Sequence, residues 1–489
     1  MLSPNRFRFI GRDDDVQVPS DWNRSDRAKL WLYNLHYFDD LRAEGAETRA
    51  AWHRDLIARW QADNPPLSGN GWEPYPLSLR IVNWVAWSLA GHEPSADMLR
   101  SIAMQVRALR GSLEFHLLGN HLLANAKALI FAGCFFTGPD ADEWLRTGLK
   151  LLDDERGEQI LADGGHFELS PMYHAIILED LLDLIQLGVI FPTQLGARQP
   201  AWRESAARML TWLSTMTHPD GEVASFNDAA SGIARTYADL AAYAVGLDVA
   251  SEEGMGALRQ LAASGYIRLR AGPFSAIFDT AEIGPSYLPG HGHADVLSLE
   301  VSLDGRRLVT NGGTSTYAPG PLRDAERATA SHATVEIDGH SSSEVWASFR
   351  VGRRAHPHNI ACGENEGHIW AEASHDGYRW LPGQPIHQRR VEVSATTLTI
   401  TDRVTGAGVH TVTGRFPLHP LTSVLPTPNG WLLELAGGRV VKASVSGARQ
   451  TFLADGHYAP AFGHRVARPV LTWRHEGTLP LNIEMRFEL

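Results

Sequence analysis

The stretch TYADLAAYAVGLDVASEEGMGALRQLAASGYIRLRAGPFSAIFDT, residues 236–280, changes its repeat partway along. Before residue 247 the apolar side chains recur at three- and four-residue spacing, as on one face of a helix. From Tyr266 onward they alternate, as on a strand with one buried face. A boundary between two kinds of structure is therefore expected at about 247–262, in a short segment of small and charged residues.

On the N-terminal side, residues 28–43, 49–63, 76–91, 95–110, 113–135, 141–153, 172–188, 200–217 and 232–246 all carry helical spacing. Their connections are short and marked by Gly, Pro, Asp and Ser, as in GNGW at 69–72 and PDG at 219–221. Antiparallel helices with short loops suggest an α/α toroid over 1–250, with a parallel bundle as the alternative that periodicity leaves open. On the C-terminal side, YIRLRAG, FSAIFDT, VLSLEVSLDG, HATVEIDG, RVEVSATTLTITDRV, WLLELAGG and LNIEMRFEL alternate between turn signals. They predict an antiparallel β-sandwich over 262–489. The expected class is α+β multidomain, which suits 489 residues, more than one core usually organises.

The chain carries 44 Lys and Arg against 56 Asp and Glu, a formal net charge of −12, which argues against non-specific nucleic-acid binding. A cleft can still be locally basic under an acidic outer surface. No run of eighteen or more apolar residues is present, so no membrane span is expected. The opening MLSPNRFRFIGRDDD shows no secretory signal. A cytoplasmic protein is expected, or a periplasmic or secreted one if the chain is a mature or truncated form. Cys134 and Cys362 lack CxxC spacing and read as buried free thiols.

Four segments place titratable residues where the apolar pattern does not call for them. Asn120 and His121 interrupt the apolar helix around LLGNHLLANAKALIFAG. Tyr173 and His174 follow Ser170-Pro171 in the first turn of a helix, whose N-terminus favours an anionic group. In PGHGHADVLSLEV, residues 289–301, His291, His293 and Asp295 share one face of an extended segment, as side chains that bind a metal or line an active site do. Asn311 and His332 flank strands, so either could meet that face.

Together these segments resemble the heparinase II/III-like polysaccharide lyases, which include glycosaminoglycan and alginate lyases. The resemblance runs in order through WLYNLHYF at 31–38, WEPYPLSLRIVNW at 72–84, GNHLLAN at 119–125, DGGHFELSPMYH at 163–174, and HGHADVLS through NGGTSTY to SHATVEIDG. It implies cleavage of a uronate-containing acidic polysaccharide by β-elimination. Asn120 and His121 match the groups that neutralise the uronate carboxylate, His121 also being a candidate base. Tyr173 matches the proton donor to the leaving oxygen, and His291 the histidine that holds the carboxylate or acts as base. His293 and His332 match ligands of a divalent ion, zinc or manganese, with a structural role. The third ligand position reads Asn311, where the family usually has Asp.

Arg80 is a candidate cation for the substrate, and Trp72, Tyr75 and Trp346 are candidate sugar platforms, with His174 as a further substrate contact. A salt bridge on a helix surface is the competing reading for Arg80, and packing for the others. A glycoside hydrolase on the same scaffold would need a carboxylate pair, which Glu168, Asp163 and Asp228 could supply. A non-catalytic glycan-binding protein of exopolysaccharide biosynthesis is the remaining alternative.

Overall fold

Apolar spacing and local capping together account for the helices. In a computed structural model, which describes residues 1–250 and 256–489, helices span Lys29–Tyr37, Ala50–Asp63, Pro74–Leu89, Ala96–Arg110, Gly119–Phe135, Pro139–Gln159, Pro171–Ile190, Gln199–Met216 and Tyr237–Gly246. Ser95 accepts from the Met98 amide to start one of them. Thr236 and Asp239 form a reciprocal capping box at another. Proline opens three more, at Pro74, Pro139 and Pro171, where its missing amide costs nothing.

The expected helix 113–135 begins only at Gly119. Leu118 and Gly119 both have φ of 57°, so a right-handed helix cannot run back through Leu118 and starts at Gly119. Asn120 and His121 therefore occupy a first turn, not the middle of a helix. A small hairpin, Arg6–Phe9 with Arg12–Asp15, precedes the helices. Its arms are too short for alternation to reveal.

The central part of the expected boundary, 251–255, lies outside the described residues. After it come antiparallel strands. Leu258–Leu261, Tyr266–Ala271, Phe274–Asp279, Leu299–Leu303 and Arg306–Val309 form a five-stranded sheet in that order. An eight-stranded sheet includes Ile386–Val393, Thr397–Thr405 and Leu481–Glu488, paired in register. A four-stranded sheet joins Gln450–Tyr458, Val466–Thr478, Val409–Pro417 and Val335–Ile337. One apolar core, running from Ile267 and Phe278 through Val335 and Ile400 to Met485 and Phe487, is shared by these sheets. The chain is thus mixed α+β, helical first and antiparallel sheet after.

Alternation also buries charge. In Ile386–Val393 the inward positions are His387, Arg389, Val391 and Val393. Arg389 and His387 both bond the buried carboxylate of Asp402, at 2.7 Å to Oδ1 from each and 2.9 Å to Oδ2 from Arg389 Nη2. A buried ion pair is tolerated when its hydrogen bonds are complete.

The chain divides into two compact units: residues 1–159 with 180–203, and residues 160–179 with 204–489. The helix Pro171–Ile190 contributes to each. Cys134 is buried and Cys362 half-buried, both as free thiols. Among the described residues no helix is long and apolar enough to cross a membrane.

Candidate active site

In the second unit, Ser170 starts the helix Pro171–Ile190 by accepting from the Tyr173 amide at 3.2 Å, while its own hydroxyl donates to the Asp228 carbonyl at 2.6 Å. Asn227, at a φ of 55°, ties three segments together. Its Nδ2 donates to the Leu169 carbonyl at 2.9 Å, and its Oδ1 accepts from the His293 amide at 2.9 Å. Tyr173 is thereby fixed beside His291, ring centroids 4.1 Å apart, with its hydroxyl 3.1 Å from that of Tyr317.

Asp228 is the centre of this arrangement. His291 Nδ1 lies 2.9 Å from its Oδ2 and His293 Nε2 lies 3.0 Å from its Oδ1. The Arg323 guanidinium grips both oxygens, with Nη2 at 2.6 Å from Oδ2. Burial alone would raise the Asp228 carboxyl, but Arg323 and the two imidazoles hold it well below the usual carboxylate range. Arg323 also lies over Tyr317 and Phe349, 5.1 and 5.6 Å from the ring centroids. Burial, then the Asp228 charge, pushes the Tyr317 phenol well above its ordinary value. With Nδ1 committed to Asp228, His291 presents Nε2, 3.7 Å from Glu168 Oε2.

The HGHAD segment departs from the expected strand. It is a loop, and regular pairing starts only at Leu299. His291 and His293 still converge, because both reach one carboxylate. Asp295 does not join them. It is buried near Asp279, and burial raises both, Asp295 to about 7 and Asp279 further under the Asp295 charge as well. Tyr173 faces His291, but its neighbour His174 turns inward, with Nε2 2.9 Å from the Met209 carbonyl and its ring stacked on Trp212. Burial pushes His174 down to about 3, so it is a neutral packing residue and not a substrate contact.

His293 and His332 are neighbours, ring centroids 5.3 Å apart. His293 Nδ1 and both ring nitrogens of His332 are buried without a hydrogen-bond partner. Burial pushes His293 down to about 4. Burial, His293 and Arg468 push His332 well below the imidazole range, against a small opposing pull from the Glu326 backbone. Neutral imidazoles with unused nitrogens fit a divalent ion. The Asn311 amide lies nearby, its Oδ1 accepting only a long 3.4 Å contact from the Ala333 amide. Among the described residues no three His, Cys, Asp or Glu side chains are gathered to hold a metal. An ion here would rest on two imidazoles and an amide.

The first unit holds the remaining candidates. Asn120 is buried at the start of its helix, and Gln159 Nε2 secures that start by donating to the Gly119 carbonyl at 2.9 Å. His121 is half-buried, with Nδ1 3.0 Å from Glu114 Oε1 and its ring 4.4 Å from that of Tyr75. Glu114 is itself buried, and its Oε2 accepts from Asn125 Nδ2 at 3.0 Å. Asn125 also donates to Ser78 Oγ and accepts the Glu114 amide, both at 2.9 Å. A buried carboxylate thus sets the orientation of His121.

Arg80 is a correction to the sequence reading. It is wholly buried, donating to Gln105, the His36 carbonyl and the Gly71 carbonyl, and lying 3.8 Å over Trp60. It braces the helices and has no open face for a substrate. Trp72 packs on Trp60 and is only 8% exposed, so its ring is interior too. Trp346 is 53% exposed and available as a platform.

Of the hydrolase carboxylates, Asp163 is occupied by the Gly165 and Ser264 amides and the Ser264 hydroxyl, and Asp228 by its cage. Arg323, Tyr317 and Glu114 were not foreseen from the sequence. None interrupts a periodic pattern, so only their spatial partners reveal them.

Two family descriptions match the chain: Heparinase II/III N-terminus over residues 96–245 and Heparinase II/III-like, C-terminal, over 254–478. A heparin-sulfate lyase of Pedobacter heparinus is 26% identical over 242 residues, covering 45% of this chain and 35% of its own length. The crystal structure of a heparinase III superposes with a TM-score of 0.79 at 18% identity, over 96% of this chain and 79% of that one. A heparan sulfate lyase mutant structure from Pedobacter heparinus gives 0.69 at 18% identity, over 99% and 81%. The matched stretches span 17–35% of the length of the curated relatives.

Proposed function

The chain belongs to the heparinase II/III-like family, and from that premise we propose that it is a polysaccharide lyase cleaving a uronate-containing glycosaminoglycan by β-elimination. The observation that carries this reading is the Tyr173–His291 pair held over the Asp228–Arg323 ion pair. Heparin- or heparan-type chains are the first substrates to test, because the relatives are named for them. Alginate and bacterial exopolysaccharide come next.

The elimination needs three things from the chain. The uronate carboxylate must be neutralised so that charge can build on it as the C5 proton leaves; Asn120 and His121 carry that role. A base must take the C5 proton, and the group offered is Nε2 of His291, 3.7 Å from Glu168 Oε2, its Nδ1 being committed to Asp228. The C5–H electrons then form the C4–C5 double bond, the C4–O bond breaks, and the departing oxygen receives a proton from the Tyr173 hydroxyl. A divalent ion on His293, Asn311 and His332 would hold the loop behind His291 in place and act structurally.

The test is incubation with heparan sulfate, heparin, alginate and acidic exopolysaccharides, following the ultraviolet absorbance of the unsaturated uronate. New reducing ends without that absorbance would indicate hydrolysis. Binding without any new ends would indicate a glycan-binding protein.

A further inference from the structure

One face of the four-stranded sheet lines a cavity of about 200 Å³, whose lining also includes Gly312 and the segments around Glu326 and Ser331. Register explains which side chains meet there. Arg415 pairs with Thr472, Pro417 with Val470, Val470 with Ala454, and Arg468 with Gly456. Alternate residues of three adjacent strands therefore point the same way. The opening depends on small residues: a Cβ on Gly456 would lie 2.6 Å from Val470 Cγ2.

Three guanidinium groups line this cavity. Arg468 is 4% exposed. It donates Nη1 to the Thr310 and Asn311 carbonyls at 2.9 Å and Nη2 to the Ser331 carbonyl at 3.2 Å, leaving its Nε buried without a partner. Arg415 reaches Glu336 at 3.4 Å through Nη2, while its Nη1 is also buried without a partner. Arg465 is exposed. Two carboxylates share the lining. Glu326 has both oxygens engaged by the Ser315 amide and hydroxyl, and Asp455 is exposed. Arg468 Nε and Arg415 Nη1 have no open surface and stay within the wall, so the cavity meets the rest of the three guanidinium groups, whose fixed positive charge attracts oxyanions.

We propose that this cavity binds a small tetrahedral oxyanion of the sulfate class, either as a free ion or as a sulfo group carried on a larger ligand. Arg468 supplies the buried end and Arg415 one wall, with Arg465 adding charge. Because Arg468 also holds the carbonyls of Thr310, Asn311 and Ser331, a bound anion braces the segment that carries Asn311 and leads to His332. The site stands on its own geometry and does not depend on the lyase reading.

The test is equilibrium dialysis of the full chain against radiolabelled sulfate, at constant ionic strength made up with chloride. One saturable site per chain is expected, with phosphate as a competitor. Arg415→Gln and Arg465→Ala should each weaken sulfate binding roughly tenfold or more while melting as the parent does in chloride. Arg468 is left intact because its loss would also release the loop. Absence of saturable binding through the millimolar range, or binding that both variants retain, overturns the proposal. A second arm separates the sources. A sulfated oligosaccharide that displaces the label better than inorganic sulfate, while its desulfated form does not, marks an ester-borne group; displacement by inorganic sulfate alone marks the free ion. Elimination activity is read separately, so failure of one reading leaves the other measurable.

Discussion

Asp228 and His291 stand 63 residues apart in the chain, and Oδ2 of one lies 2.9 Å from Nδ1 of the other. That contact selects the ring nitrogen His291 can use, since only Nε2 remains for chemistry. It also depends on Arg323, whose charge keeps Asp228 ionised in a site that would otherwise neutralise it. The aromatic rings of Tyr173, Tyr317 and Phe349 surround the His291 imidazole at 4.1, 6.1 and 5.9 Å.

Tyr173→Phe removes only the hydroxyl and leaves the ring against His291. Turnover on the best uronate polymer should fall by about 10²–10⁴, the range for a general acid or base. Circular dichroism and melting should be unchanged. Near-parental activity removes Tyr173 from the mechanism.

Asn120→Ala should lower kcat more than it changes KM, because its hydrogen bond strengthens as the carboxylate gains charge. Loss of one such donor costs about 3 kcal/mol of transition-state stabilisation. An effect confined to KM marks Asn120 as a ground-state contact.

Glu114 uses both carboxylate oxygens, one toward His121 and one toward Asn125. Glu114→Gln offers a single acceptor in their place. Activity should drop about ten- to a hundredfold, the worth of a charge-assisted hydrogen bond. The companion His121→Ala should then lose little more when combined with it. Additive losses in the double variant separate the two residues.

A divalent ion on His293, His332 and Asn311 should appear as stoichiometric zinc or manganese in protein purified without added metal. Chelation should lower the melting temperature by linkage, and His293→Ala should abolish both the metal and the chelator's effect. Metal-free protein with a chelator-insensitive melt counts against this assignment.

Asp402 gives a pH signature. Burial would raise it, but Arg389 and His387 bring its carboxyl down from 3.8 to about 2. A depressed folded value means that its contribution is complete above about pH 4 and is lost as pH falls through about 2. The wild type should lose about 2 kcal/mol over that window that Asp402→Asn does not. At neutral pH the variant should already be weaker by about 3–5 kcal/mol, since Arg389 is left buried and unpaired. Urea melts at several pH values measure both, and parallel pH profiles would contradict the assignment.

The sequence by itself determined the succession of helices and strands, because amphipathic repeats and cap residues act within a few residues of the chain. The Ser170-Pro171 start and the alternation in 390–404 could be read directly. It also marked Asn120, Tyr173, His291, His293 and His332, since polar residues stood out against apolar surroundings. Only the tertiary structure decided what these residues touch. Arg80 and His174 looked like substrate contacts, yet packing turned both inward, where their polar atoms bond the protein. Glu114, Arg323 and Arg468 looked like ordinary charges, yet folding buried each one against a specific partner. Burial is what converts such a charge into an orienting group, because in low dielectric it must find its partner or pay the full desolvation cost. That partner is set by chain segments far apart in sequence, and no local pattern encodes it.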